Sequence, residues 1–431
     1  MKPDSQRKRI VVIGGGFAGL NFIKQIDRRR YDVTLIDRNN FHSFPPLFYQ
    51  VASSGLDPAS ISFPFRREIA KRARGARFHM GDVRSINLER REVKTQYETL
   101  HYDKLVIAAG TTNNFFGDDT LQKRVYTLKS TAEAIRLRNE ILDRLERASV
   151  CSSPEMKRRL LSFVVIGGGP TGVEIAGAIG EMKRDIIKRE YPDLDADEVS
   201  VLLVEGSDRL LRTMSKEASA NALSSLAALM VDVKLNTLMK TFDGRTVTFA
   251  DGTEVESETV VWTAGITGCG FEVTGGELER GPGGRIVTLP NCRAKSHNEV
   301  FAIGDISFTE TEAYPHGFPQ LAQTAIQQAR FLARELNDDR YDREFTYDDK
   351  GSMATIGRNR AVADLGKMRL HGFMAWLAWM FVHLISLLGM RNKLTVLINW
   401  IWAYFTHNTS LRLLIHTTKY PLRSRWDEKN S

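Results

Sequence analysis

Two stretches of this 431-residue chain carry glycines at the spacing that lets a backbone hold a pyrophosphate. Gly14, Gly16 and Gly19 lie in Ile10–Leu20 (IVVIGGGFAGL), and Gly167, Gly169 and Gly172 lie in Val164–Glu174 (VVIGGGPTGVE). In such a unit the first glycine permits a tight turn, the second lets phosphate approach the main chain, and the third lets helix and strand pack closely. The helix that follows presents free N–H groups and the positive end of its dipole to the phosphates. An acidic residue completes each set: Asp37, 23 residues after Gly14, and Glu205, 38 residues after Gly167. A carboxylate there accepts hydrogen bonds from a ribose and repels a 2′-phosphate, so the second unit is expected to prefer NADH to NADPH. Two such units about 150 residues apart suggest two dinucleotides held face to face, with electrons passing between them.

Each unit needs a strand, a helix and a second strand to position it. Arg9–Ile13 is a short β-branched run suited to a central parallel strand, and a helical pattern follows through Ile26 before the strand Val33–Ile36. The second unit opens with strand Phe163–Ile166, and its charged helix runs on through Arg189. The polar insertion Tyr191–Glu198 (YPDLDADE) then explains why Glu205, after VSVLLV, lies so far from Gly167 when the usual offset is about 20. Residues 93–102 and 104–108 read as a hairpin feeding a parallel strand that closes on Ala109-Gly110-Thr111. Thr246–Phe249, a turn at Asp251-Gly252 and residues 254–261 read as a second hairpin, running into Trp262-Thr263-Ala264-Gly265. Small residues at a strand's C-terminal end let a loop pass close to a ligand.

Other candidates carry weaker signals. Residues 300–303 read as a strand ending in Gly304-Asp305, where the aspartate either caps a helix or holds a ribityl hydroxyl. Residues 321–330 (LAQTAIQQAR) read as a helix with Gln323 and Gln327 one turn apart; helix glutamines are usually solvated, but this helix could aim its N-terminus at an anionic flavin. In residues 41–51 (FHSFPPLFYQV), Pro45 and Pro46 break any helix and the aromatics read as loop anchors. Residues 128–147 read as a charged amphipathic helix.

Composition bounds the classes of function. Hydrophobic residues make up 42% and charged residues 26%, as in a globular protein of two or three domains. Cys151, Cys269 and Cys292 form no CxxC and no Cys/His cluster, which excludes structural zinc and iron–sulfur sites and points to a reducing compartment. The N-terminus superficially resembles a signal peptide, but its apolar run carries four glycines and passes into Asn21 and Lys24 with no small-residue cleavage site, so export is not expected. The net charge is +8, and residues 350–431, with twelve Lys/Arg against three Asp/Glu, carry all of the excess.

That same tail holds the longest apolar runs. Residues 372–390 and 394–411 are 19 and 18 residues without a formal charge, separated by Arg391-Asn392-Lys393. Each approaches the ~18–20 residues that cross a bilayer. Spanning would place Arg391 and Lys393 opposite Lys367, Arg369 and Arg412, against the positive-inside tendency. Trp376, Trp379, Trp400 and Trp402 also lie inside the runs, whereas spanning helices keep tryptophan near their ends. We therefore expect helices lying in the interface of an anionic membrane, with a homodimer interface as the other reading of the same surface. No nucleic-acid motif is present.

Taken together, GGGPTGVE at 167–174, WTAG at 262–265, FAIGD at 301–305, AQTAIQQ at 322–328 and the basic, apolar tail resemble the type II NADH dehydrogenases. These are single-chain, non-proton-pumping NADH:quinone oxidoreductases of the two-dinucleotide-binding-domain flavoprotein superfamily. The resemblance covers roughly residues 8–410. It implies an α/β fold of two Rossmann-like dinucleotide-binding domains, the second inserted in the first, with a C-terminal helical membrane-binding segment. The expected divisions are residues 1–120 and 269–365 for FAD, 121–268 for NADH, and 366–431 for the membrane. The first unit with Asp37 would bind FAD, completed by Ala109, Gly110, Gly304, Asp305 and the helix starting near Ala322. The second unit with Glu205, and with Ala264 and Gly265, would bind NADH. Glu174 matches the carboxylate that the family places near nicotinamide and flavin, and Gln323 a quinone-facing position, with Gln327 one turn on. Pro46 and Leu47 match a loop close to the flavin ring. The quinone-pocket lysine of some relatives has no counterpart in residues 373–381. The resemblance thus implies hydride passing from NADH to FAD and two electrons passing on to a membrane quinone, at the cytoplasmic face of the cell membrane. No metal is expected. Two rivals stand beside it: an enzyme with a flavin-adjacent cysteine pair, as in disulfide reductases and sulfide:quinone oxidoreductases, and a membrane-bound flavin-binding partner or sensor protein.

Overall fold

The computed structural model describes residues 7–406 and 411–414; the remainder of the expected membrane segment lies outside the described residues. In chain order, the elements that bear on the site begin with β1 (Lys8–Ile13), α1 (Phe17–Gln25), β2 (Tyr31–Asp37), α2 (Phe48–Ala52), β3 (Arg77–Met80), β4 (Lys104–Ile107) and α3 (Thr131–Ser149). There follow β5 (Ser162–Ile166), α4 (Pro170–Glu181), β6 (Ser200–Val204), α5 (Lys216–Ala227), β7 (Asp232–Lys234), β8 (Thr259–Trp262) and β9 (Val300–Ala302). The chain ends with α6 (Ala322–Asp338), β10 (Ser352–Thr355), β11 (Ala361–Leu365), β12 (Met368–His371), α7 (Gly372–Ser386) and α8 (Met390–Thr406).

The chain forms two compact units. The first comprises Met1–Phe44, Ser62–Asn114 and Gly265–Gly351. Its central sheet has the order β9-β4-β1-β2-β3, and every neighbouring pair is parallel. Burial on both faces demands an unbroken apolar run, and Ile10, Val12, Val33, Leu35, Leu105 and Val106 are all fully buried. Because the strands are parallel, the turns after β1, β2, β4 and β9 emerge at one edge of the sheet, which is where a doubly wound fold binds ligands.

The second unit comprises Pro45–Ile61, Phe115–Ala264 and Ser352–Ser431, so the units part at 114/115 and 264/265 rather than at the expected 120/121 and 268/269. Residues 45–61 belong here because Phe48, Tyr49 and Val51 bury themselves as α2 packs on α3 and α4. Its sheet has the order β7-β6-β5-β8, again parallel throughout. The single strand expected over residues 254–261 is two. Glu254–Glu256 closes the hairpin with Thr246–Phe249, and β8 joins the parallel sheet. Ser257 makes the break: its buried hydroxyl donates to the Ser162 carbonyl at 2.6 Å and accepts from the Thr259 N–H at 3.0 Å.

The antiparallel meander β10–β12 leads into α7 and α8. Leu387 is extended and Gly389 has φ +74°, so the first apolar run stops at 15 helical residues and the chain turns before the 17 residues of α8. Among the described residues no helix is long and apolar enough to cross a membrane. Both helices nonetheless expose large apolar side chains, among them Met374, Phe381, Ile385, Ile398, Trp402 and Phe405. Ala375, Trp379 and Val396 are the buried contacts that hold them to the unit.

Candidate active site

In the first unit the turn after β1 is built from three constraints. Gly14 has φ +96°, a Cβ on Gly19 would stand 1.9 Å from the Gly14 carbonyl oxygen, and a Cβ on Gly16 would meet nothing within 4 Å. The last observation marks open space over the second glycine, and α1, which starts from Gly16, has no side-chain cap at its N-terminus. Asp37 accepts the Gly15 N–H at 2.7 Å and the Asn39 N–H at 2.8 Å. Burial nevertheless raises the pKa of this carboxyl, with the two N–H donors opposing the rise. Ala109 and Gly110 follow β4, and the Cys269 thiol donates to the Ala109 carbonyl at 3.1 Å. Gly304 and Asp305 follow β9, and Asp305 sits in the short turn Gly304–Ile306. Ala322 opens α6, whose N-terminus also has no side-chain cap. Open space over Gly16, uncapped helix N–H groups and a carboxylate at the end of β2 fit the pyrophosphate and ribose of a dinucleotide such as FAD.

Gln323 and Gln327 of α6 are each hydrogen-bonded to the segment 348–351. Gln323 donates to the Gly351 carbonyl and accepts the Lys350 N–H, each at 3.0 Å. Gln327 brackets Asp348 in the same way, at 2.8 and 2.9 Å. Both amides therefore hold residues 348–351 against the helix. The glutamine that touches the Gly304-Asp305 turn is the next one, Gln328: it is 1% exposed and accepts the Gly304 N–H at 2.7 Å. Its neighbour in role is Gln320, which donates to the Asp305 carbonyl at 2.9 Å. His42 is a second residue not anticipated. Its ring nitrogen lies 2.9 Å from the Gly15 carbonyl, and burial pushes the imidazole down to about 4, so the neutral ring donates to the glycine turn.

The second unit repeats the plan. Gly167 has φ +110°, a Cβ on Gly172 would stand 1.8 Å from the Gly167 carbonyl oxygen, and Gly169 faces open space at the uncapped N-terminus of α4. Glu205 accepts the Gly168 N–H at 2.5 Å and, through its other oxygen, the Ser207 N–H at 2.8 Å and hydroxyl at 2.5 Å. Burial works against this charge, but the Ser207 and Gly168 donors and the Arg212 cation outweigh it, and the carboxyl sits below its usual range. A cavity of about 450 Å³ opens beside it, lined by Gly168, Gly169, Pro170, Glu205, Ser207 and Arg212 among others. Ala264, after β8, reaches the same turn: its N–H nitrogen lies 2.9 Å from where a Cβ on Gly167 would be. Gly265, with φ +94°, falls in the first unit.

Glu174, on α4, is partly buried, and desolvation pushes its carboxyl up to about 8 against one donor, the Thr355 N–H of β10. The Thr355 hydroxyl donates to the Tyr49 phenol oxygen at 2.8 Å. Burial raises the Tyr49 pKa, and the Glu174 charge adds to the rise. Of the loop before α2, Leu47 is fully buried in the core while Pro46 keeps part of its surface. Pro46, Leu47 and Glu174 thus belong to the second unit, and Gln323 and Gln327 to the first. Among the described residues no cysteine forms a disulfide, Cys292 is buried, and no three metal-ligating side chains converge.

The chain is similar to known proteins. The profile of the family described as pyridine nucleotide-disulphide oxidoreductase matches residues 8–329, and that described as NDH2 C-terminal domain matches residues 350–407. The type II NADH:quinone oxidoreductase Ndh of Mycobacterium tuberculosis (strain ATCC 25618 / H37Rv) is 35% identical, covering 92% of this chain and 88% of its own. Its relative NdhA, from the same organism, is 36% identical over 91% and 86%. The structure of NDH2 from Plasmodium falciparum in complex with NADH has the same fold, with a TM-score of 0.87 at 21% identity over 95% of this chain and 100% of that one.

Proposed function

The chain belongs to the type II NADH:quinone oxidoreductases, and from that membership we propose that it takes NADH in the second unit and reduces a membrane quinone through FAD held in the first, without pumping protons. The observation that carries the donor assignment is Glu205, held charged by three donors beside an open cavity at an uncapped helix N-terminus. That carboxylate accepts from the 2′-hydroxyl of NADH and repels the phosphate of NADPH. FAD, when bound, supplies the hydride-accepting and electron-donating chemistry.

The chain's own residues supply binding and proton control. The backbone around Gly14, Gly16 and Gly19 would hold the FAD pyrophosphate and Asp37 a ribose, with Gly304-Asp305 at the ribityl chain, Ala109-Gly110 running past it, and Ala322 opening the helix at its far end. Gly167, Gly169, Gly172, Ala264 and Gly265 would line the path of NADH. Quinone reduction consumes two protons for two electrons. Glu174, with a carboxyl that keeps its proton at pH 7, is the proposed group to hold one of them. Pro46, Leu47, Gln323 and Gln327 are the proposed quinone-side residues, the glutamines acting by fixing residues 348–351.

The exposed apolar faces of α7 and α8, with the basic excess of residues 350–431, support attachment to the cytoplasmic face of an anionic membrane as a monotopic protein. Cosedimentation with anionic vesicles that weakens as salt rises supports this, whereas a detergent-free dimer with no vesicle binding assigns the same surface to a second copy of the chain. The redox reading is tested by mixing the purified, flavin-loaded protein with NADH and a soluble quinone. NADH is expected to be consumed in step with quinone; a yellow, folded protein that consumes none refutes it.

A further inference from the structure

A second concentration of positive charge lies far from the tail. Residues 66–77 (RREIAKRARGAR), all in the first unit, hold six Lys/Arg and a single acid, Glu68. They form the helix Phe65–Arg72, a turn at Gly75, whose φ is +95°, and the start of β3, the outermost strand of the sheet. Between these elements lies a cavity of about 590 Å³, within the size range of small-molecule sites. Its walls at Ala70, Gly75 and Ala76 carry little side chain, and a Cβ on Gly75 would meet nothing nearer than the Arg28 side chain at 3.9 Å. Its apolar floor is made by Ile69 and Phe78, both buried.

Every ionisable side chain that lines this cavity is basic. Two of them are already compensated, since Arg77 reaches Asp32 at 2.6 Å and His79 meets Glu98 at 2.5 Å. Arg66 and Arg74 are not. Both are exposed, and among the described residues neither has a carboxylate partner. The Arg66 guanidinium lies over the Phe78 ring instead, 5.3 Å from its centroid, which places a cation at the edge of the apolar floor. Glu68 does not answer it: that carboxylate is buried and lies 3.9 Å from Lys24 and 3.7 Å from Arg72. A phosphate monoester carries about 1.5–2 negative charges at pH 7, which two guanidinium groups balance, and their planar forks grip its oxygens in pairs.

We propose that this cavity binds a phosphate monoester with an apolar body, Arg66 and Arg74 taking the phosphate and Ile69 and Phe78 the body. The lining includes neither glycine-rich turn and neither Asp37 nor Glu205, so the site is distinct from those of the two dinucleotides. A soluble organic phosphate and the headgroup of a lipid monoester both offer this chemistry.

The test is calorimetric titration of the full-length, flavin-loaded protein with phenyl phosphate, with NAD⁺ present to occupy the second unit. One phenyl phosphate is expected to bind per chain, at least about tenfold more tightly than inorganic phosphate, which has the charge without the body. Arg66→Ala and Arg74→Ala should each weaken binding at least about fivefold. Ala70→Phe, which fills the cavity and leaves the charge alone, should do the same. Arg67→Ala removes an equal charge from the same helix outside the cavity and should change the Kd less than about twofold. All four positions are exposed, and flavin retained per chain shows that each variant is folded. Dihexanoyl phosphatidic acid, a soluble lipid monoester, separates the sources. Tighter binding than phenyl phosphate, with the same arginine dependence, supports the site as one for a lipid headgroup; weaker binding supports it as one for a soluble phosphate. Equal affinity for inorganic phosphate, an Arg67→Ala effect as large as that of Arg66→Ala, or full affinity in Ala70→Phe overturns the proposal, because diffuse charge then accounts for the binding.

Discussion

The two glycine-rich units use one backbone plan and differ in what surrounds it. Gly15 and Gly168 donate to the following carboxylate at 2.7 and 2.5 Å, and a Cβ on the third glycine of each would stand 1.9 or 1.8 Å from the first glycine's carbonyl oxygen. Yet burial wins at Asp37 and raises its pKa, whereas hydrogen bonds and Arg212 win at Glu205 and lower it. The position seven residues after the first glycine differs as well. It is Asn21 in the first unit, donating to the Phe17 carbonyl of its own helix at 2.8 Å, and Glu174 in the second. A desolvated carboxylate with an inert asparagine suits a resident cofactor. A charged carboxylate on an open cavity, with a titrating group one turn along, suits a ligand that enters and leaves at every turnover.

Substitutions at matched positions should therefore have unequal effects. The largest difference is expected at the Asn21/Glu174 pair: Glu174→Gln should cut turnover about 100-fold by removing a proton-transfer group, while Asn21→Ala should change it less than about threefold. Stability separates the two in the same way. A carboxyl raised from 4.5 to about 8 by folding binds its proton more tightly in the native state, so stability is full below 4.5 and is lost as pH rises through 8. Thermal melts across that window should slope downward for the native protein and flatten in Glu174→Gln.

Next come the third glycines, where a Cβ would stand 1.9 Å from a carbonyl oxygen at Gly19 and 1.8 Å at Gly172. Forcing an alanine in costs about 1–3 kcal/mol at either place. Gly19→Ala should leave the protein without flavin colour, whereas Gly172→Ala should keep its flavin and raise the Kd for NADH at least about tenfold. Flavin absorbance per chain and an NADH titration read the two apart. A smaller effect is expected at Glu205: Glu205→Gln should narrow the preference for NADH over NADPH by about tenfold, a difference of ~1.4 kcal/mol, read from the ratio of kcat/KM values. The smallest concerns α6. Gln328→Ala strands the buried Gly304 N–H and should cost about 1–3 kcal/mol, against under about 1 kcal/mol for Gln327→Ala, which is only half-buried, by denaturant melts.

What was legible in the sequence was local. A glycine whose Cβ would strike a carbonyl five residues back, as at Gly19 and Gly172, writes its requirement into a short window, and Asp37 and Glu205 lie at the next strand end. Gln328 was also within reach, because it shares the stripe of Ala325, Ala329 and Leu332 that faces the core. The one-turn spacing of Gln323 and Gln327 is the more visible signal, and their side chains hold residues 348–351. The Tyr49 network was beyond reach: its members are 306 and 350 residues apart in the chain, and nothing near Trp400 signals that its indole meets Gln50. The break at Ser257 was hidden for a related reason, since the hydroxyl that makes it bonds to Ser162 on a different strand. In the tail, apolar length was read correctly as length, but the turn at Leu387–Gly389 depends on one glycine's backbone rather than on hydropathy.

The central claim is that one unit keeps its dinucleotide while the other exchanges it, and an anaerobic stopped-flow experiment on the gel-filtered protein tests it directly. One FAD per chain should survive filtration, its colour should bleach on mixing with NADH, and the colour should return on a second mixing with soluble quinone. A folded protein that loses FAD on filtration, or whose bound FAD keeps its colour in the presence of NADH, would contradict the claim.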